Sequence, residues 1–142
     1  MRKVALAVGA KIRGEIVEQI VLLRQHERVY LDTSRLEELV LQLGAVNAED
    51  IVCRALEELA ARLAQTERCW RAEAWLEMRK SARSLIAIAE QVGMQLLARV
   101  ARDVMRCIDD HDETALAATL SRLLRIGELS LSEVWEMQDI TI

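Results

Sequence analysis

The chain contains no proline and no phenylalanine, only five glycines, and three Trp and one Tyr among 142 residues. Sandwiches and barrels draw on aromatic strands and on Gly/Pro turns, so these shortages exclude them. Cysteine is scarce too. Cys53, Cys69 and Cys107 are odd in number, widely spaced and without a CxxC pair, which is no disulfide framework. They read as small, mostly buried thiols of a reducing compartment. The two histidines, His26 and His111, do not pair with a cysteine at ligand spacing, so no metal is expected. No apolar run reaches the roughly 18 residues of a membrane span. Met1-Arg2-Lys3 precedes a short apolar run, Val4 to Ala10, but Lys11 and Arg13 interrupt it and no small-residue cleavage site follows. That run reads as the first turns of a helix, and the protein is expected in the cytoplasm, with no membrane partner.

What the chain does contain is helix-forming. Hydrophobic residues make up 52% and charged residues 30%, the balance of a folded domain. Ala, Leu, Arg and Glu dominate. The net charge of −4 gives no support to nucleic-acid binding. Charge is unevenly spread, with six Lys/Arg against three Glu in residues 1–28.

Apolar periodicity divides the chain into helices. One is expected from about Val4 to His26, with Ile12, Ile16, Ile20 and Leu23 on a stripe. Ser34 to Glu37 reads as a capping box for a short helix with Leu36, Leu39, Val40 and Leu43 on one face, ended by Gly44. Asn47 then caps a helix bearing Val52, Ala55, Leu56, Leu59 and Leu63. A fourth spans about Glu67 to Val92 on Trp75, Met78, Ala82, Leu85, Ala89 and Val92. Gly93 interrupts it, and the next helix follows to about Ile108 with Leu97, Val100, Ala101, Val104 and Ile108 inside. Asp112 caps a further helix on Leu116, Leu120, Leu123 and Leu124, which Gly127 ends. Ser130 and Glu133 form a second capping box for a short terminal helix with Val134 and Trp135. Short loops make neighbours antiparallel. The expected fold is all-α: an up-down-up-down four-helix bundle with an additional N-terminal helix and a short C-terminal helix. Residues 1–30 form the N-terminal helix, packed on the bundle or forming an interface, and residues 31–142 form the bundle domain.

Catalytic patterns are missing. The chain has no phosphate-binding or dinucleotide-binding glycine loop, no nucleophile elbow and no Glu-x-x-His pair. The acidic turn Asp109 to Glu113 lacks the alternating ligands and central glycine of a calcium loop. No enzyme activity and no cofactor are expected. The most informative surface is basic. Arg79, Arg83, Ala87 and Glu90 repeat at steps of four, four and three on the face away from the core stripe, with Lys80 adjacent and Ile86 flanking. Such a face suits an acidic partner, and small Ala87 leaves room for close approach.

The segment Ala82-Arg83-Ser84-Leu85-Ile86-Ala87-Ile88-Ala89-Glu90-Gln91-Val92-Gly93 resembles the central helix of the histidine phosphotransfer (HPt) domains of bacterial phosphorelays. That helix reads roughly A-H-x-L-K-G-x-A-x-x-x-G. Ala82, Leu85, Ala89 and Gly93 match. Leu31-Asp32 with Leu36, Leu39 and Leu43-Gly44 is similar to the opening of such domains. Leu96 to Val100 is similar to their next helix, and the turn closed by Asp112 to their usual short turn. The resemblance covers residues 31–127, about 70% of the chain.

The reactive half of the motif is gone. Arg83 stands where the phosphoaccepting histidine belongs, Ile86 replaces the usual lysine, and Ala87 replaces the glycine. A guanidinium has no free lone pair with which to attack an aspartyl phosphate, whereas a neutral imidazole has one near pH 7. The resemblance therefore implies an interaction module without the chemistry. It would dock the receiver domain of a response regulator or hybrid kinase through Arg79, Lys80, Arg83, Ile86, Ala87 and Glu90. Two alternatives stand beside it: a homo-oligomeric helical assembly, with a homodimer through the N-terminal stripe, and phosphotransfer through a displaced His26 or His111.

Overall fold

A computed structural model describes residues 27–141, with side chains placed through Glu136. The expected helix from Val4 to His26, and His26 itself, lie outside the described residues. Within them the regular structure is all helical, with no strand: α1 (Thr33–Leu43), α2 (Ala45–Arg71), α3 (Trp75–Gln91), α4 (Gln95–Asp109) and α5 (Glu113–Thr141). No helix among the described residues is long and apolar enough to cross a membrane.

Helix α3 packs on α2 and α4, α5 packs on α4 and α2, and α1 rests on α2. The four larger helices thus enclose one core. Its centre is Leu59, Met78, Leu85, Leu97, Val104, Leu123 and Ile126, all shut off from solvent. The apolar stripes read from periodicity supply all of these but Ile126, because a helix buries the face on which i, i+3, i+4 and i+7 are apolar. The stripe on α1 is the exception: Leu39 is buried, but Val40 and Leu43 stay exposed. Helix α1 has one main neighbour, and a single neighbour covers only a narrow strip.

Several helix ends differ from expectation. The cap of α1 is Asp32, whose side chain accepts from the Ser34 backbone N–H at 3.2 Å, rather than Ser34. A carboxylate two residues earlier competes successfully for the same orphan donors. Only Gly44 separates α1 from α2, so Asn47 already lies inside α2, where its side-chain amide donates to the Leu43 carbonyl at 3.0 Å. Glu67 to Val92 is not one helix: residues 72–74 break it, leaving Arg68, Trp70 and Arg71 on α2. Helix α5 does not stop at Gly127, and Ser130 and Glu133 cap no terminal helix. A Cβ at position 127 would lie 2.5 Å from Leu63 Cδ1, so glycine serves there to let α5 approach α2. Ser130 is fully buried inside the continuous helix. Asp112 does cap α5, accepting from the Ala115 N–H at 3.0 Å.

The loops 72–74, 92–94 and 110–112 share one construction. In each, a residue with positive φ (Glu73, Gly93, His111) follows the helix. Its N–H donates to the carbonyl three residues back, and the next N–H donates to the carbonyl five back: Ala74 to Cys69, Met94 to Ala89, and Asp112 to Cys107, at 2.8–3.1 Å. This is the Schellman closure, which satisfies the last carbonyls of a helix and turns the chain sharply. At Gly93 a second constraint applies. The Asp32 N–H donates to the Gly93 carbonyl at 2.8 Å, and a Cβ there would stand 2.5 Å from the Asp32 carbonyl oxygen. Residues 27–32 form a strap over this end, with Val29 and Leu31 against the core and Glu27 paired with Arg122 and Arg125 of α5. The Arg122 and Arg125 guanidinium groups hold the Glu27 carboxyl below its ordinary range.

The three cysteines are half-buried rather than buried. Thr66 and Ser81 are buried polar groups, and they satisfy each other across α2 and α3 at 2.8 Å. Both reach the Arg62 carbonyl, at 2.7 and 3.1 Å.

Candidate functional site

The outer face of α3 borders an open groove against α4. Arg79 bonds Asp109 and Glu90 bonds Arg102, so the two helices run in opposite directions along it. The groove has a volume of about 560 Å³. Helix α3 contributes Arg83, Ile86, Ala87 and Glu90, and α4 contributes Arg102, Met105, Arg106 and Asp109. Half-buried Ile86 and Met105, with exposed Ala87, form an apolar floor, and the charged groups stand on the rim.

Four of the six residues singled out from the sequence therefore meet in one groove. The other two do not enter it. The Arg79 guanidinium is held by Asp109 through two hydrogen bonds, Nε at 2.8 Å and Nη2 at 3.1 Å. That pair pushes the arginine pKa up. It holds the Asp109 carboxyl below its ordinary value, with smaller contributions from His111 and Arg83. Lys80 is exposed and lies 3.4 Å from Glu77, one turn back on the same helix. The basic face read along α3 is thus largely neutralised by its neighbours. Arg83 is the cation on it that is exposed and forms no ion pair among the described residues.

The positions matching the family pattern and those departing from it separate by burial. Ala82, Leu85 and Ala89 are fully buried, and Gly93 makes the left-handed turn. Arg83 and Ala87 are exposed and Ile86 is half-buried. No family model, curated protein or solved structure matches this chain. His111 lies elsewhere, in the exposed α4–α5 turn beside Trp75 and Cys107. Trp75 and Trp70 pack partly against the core, while Trp135 is exposed. Among the described residues no group of three His, Cys, Asp or Glu side chains stands close enough to hold a metal ion.

The arginines of α4 were not singled out from the sequence. Arg99, Arg102 and Arg106 recur at steps of three and four, opposite buried Leu97, Val100, Ala101 and Val104, and are all exposed. They form a ridge with the α3–α4 groove on one side. On the other side lies a second groove, against α5, lined by Leu96, Arg99, Arg102 and Arg122 among others. The signal is present in the sequence as an arginine spacing out of phase with the apolar one.

Proposed function

We propose that this protein is an HPt-like interaction module of a two-component phosphorelay. It docks the receiver domain of a response regulator or hybrid kinase in the cytoplasm and does not itself carry phosphate. The fold proposed with it is the up-down-up-down bundle of that family, formed by α2 to α5. The observation that carries the reading is Arg83: an exposed guanidinium that forms no ion pair among the described residues, at the head of an apolar-floored groove, where the resemblance puts the phosphoacceptor. A receiver's active site is a cluster of carboxylates. Arg83 offers it a fixed charge with bidentate geometry, and Ile86, Ala87 and Met105 offer apolar contact beside it.

The test is receiver binding by the full chain. Receiver domains from the source organism are titrated with native protein, Arg83→Glu and Lys80→Glu. Charge reversal at Arg83 lowers affinity at least tenfold, because a buried interfacial charge pair is broken and reversed. Lys80→Glu, outside the groove, changes it less than about threefold, as rim charges do. Absence of receiver binding by the native chain sinks the reading. Acid-labile phosphate on His26 or His111 replaces it with a displaced phosphoacceptor.

A further inference from the structure

The most apolar exposed surface of the described chain is the corner between α1 and α2. Leu41 is 86% exposed and Val46 is 76% exposed, with Val40 and Leu43 beside them. This corner is also acidic. Glu37 and Glu38 stand four and three residues before Leu41 on α1, and Glu49 and Asp50 stand three and four residues after Val46 on α2. Each leucine or valine therefore shares its helix face with two carboxylates. From residue 32 to 58 there are seven carboxylates against Arg35 and Arg54.

The α4 ridge is its complement. Arg99, Arg102 and Arg106 lie along it, Leu96 lines the grooves beside Arg99, and Arg28 and Tyr30 of the strap border its far end. Tyr30 is 72% exposed. Arg28 and Arg99 form no ion pair among the described residues. Arg102 is held by Glu90, Arg106 by Asp103 and Glu38 by Arg35. The charges without an ion pair among the described residues are Glu37, Glu49 and Asp50 on the corner and Arg28 and Arg99 on the ridge. An apolar pair flanked by such carboxylates thus faces, in chemistry, an apolar pair flanked by such arginines. The two surfaces cannot meet within one chain. The strap enters α1 at its first residue and the corner lies past its last, about 16 Å away along the helix.

We infer that the α1–α2 corner of one copy docks on the α4 ridge of a second copy. The contact is heterologous, joining unlike surfaces, so each added copy leaves one corner and one ridge free. It goes beyond the receiver-docking reading, although Arg102 and Arg106 border both surfaces.

Sedimentation velocity of the full chain tests it, at about 50 mM and about 500 mM salt, on either side of the screening length that matters for such contacts. At low salt the native chain gives species beyond the dimer as concentration rises. High salt weakens association at least tenfold. Leu41→Glu and Arg99→Glu, both at exposed positions, each weaken it at least tenfold and leave the thermal melt unchanged. Mixed together, these two variants restore one interface and stop at a 1:1 dimer, because the intact corner of one fits the intact ridge of the other. A native chain that stays monomeric throughout overturns the inference. So does a mixture that stays monomeric, or an association that neither variant weakens.

Discussion

The three loops that join α2 to α3, α3 to α4 and α4 to α5 have the same hydrogen-bond closure but different residues at the left-handed position. Gly93 occupies the middle one, while Glu73 and His111 occupy the others. The closure itself therefore does not demand glycine. A residue with a Cβ sits there at a cost of roughly 1–2 kcal/mol. Glycine is required at 93 because the strap crosses at that point: the Asp32 carbonyl occupies the volume a Cβ would need. Close approach, more than the turn, selects the residue.

The comparison can be broken most severely at position 93. Gly93→Ala combines left-handed strain with a backbone overlap that no side-chain movement relieves. A loss on the order of 3 kcal/mol is expected, read as a fall of roughly 10 °C in the melting temperature. Gly127→Ala sharpens the point. Its overlap is with the tip of the Leu63 side chain, which can turn away, and alanine improves helix propensity. The net loss is about 1 kcal/mol by chemical denaturation. Glu73→Gly goes the other way, relieving strain where nothing crosses, and raises stability by about 0.5 kcal/mol after the added freedom of the unfolded chain is counted.

The smallest effect concerns the tether beside the third loop. Arg79 holds the Asp109 carboxyl below its ordinary value. The pair's contribution is therefore complete above the ordinary carboxylate range and fades as pH falls through the lowered value. In Arg79→Ala, an NMR titration of the Asp109 carboxyl carbon shows its midpoint moving upward towards the ordinary value.

The same loops explain how much of the fold was legible. The core stripes were readable because burial on one helix face imposes its period on the sequence. The break at Glu73 was not. Arg71-Ala72-Glu73-Ala74 are good helix formers, and Thr66, Trp70, Ala74 and Met78 keep a four-residue step straight across the turn. A reader of periods sees one helix there. Gly127 misled in the opposite sense, since a residue that stops helices stands in the middle of one to make space for Leu63. Of the candidate site, the face of Arg83, Ile86, Ala87 and Glu90 was legible. The pairing of Arg79 was hidden because its partner, Asp109, lies thirty residues away in sequence. The arginines of α4 were hidden because the groove's second wall comes from a helix that periodicity along α3 does not place beside it.

Helix lengths carry a further consequence. Helices α2 and α5 have 27 and 29 residues, whereas α3 and α4 have 17 and 15. Roughly 15 Å of the longer pair therefore has no third or fourth helix alongside, and α1 is its main further cover. Amide protons there open to solvent through a local separation that leaves the four-helix region closed. Hydrogen exchange will accordingly divide the chain in two. The start of α2 and the end of α5 will exchange at low protection, and the helices lining the Arg83 groove will exchange only with global unfolding. A ligand seated in that groove would slow the second class and leave the first untouched.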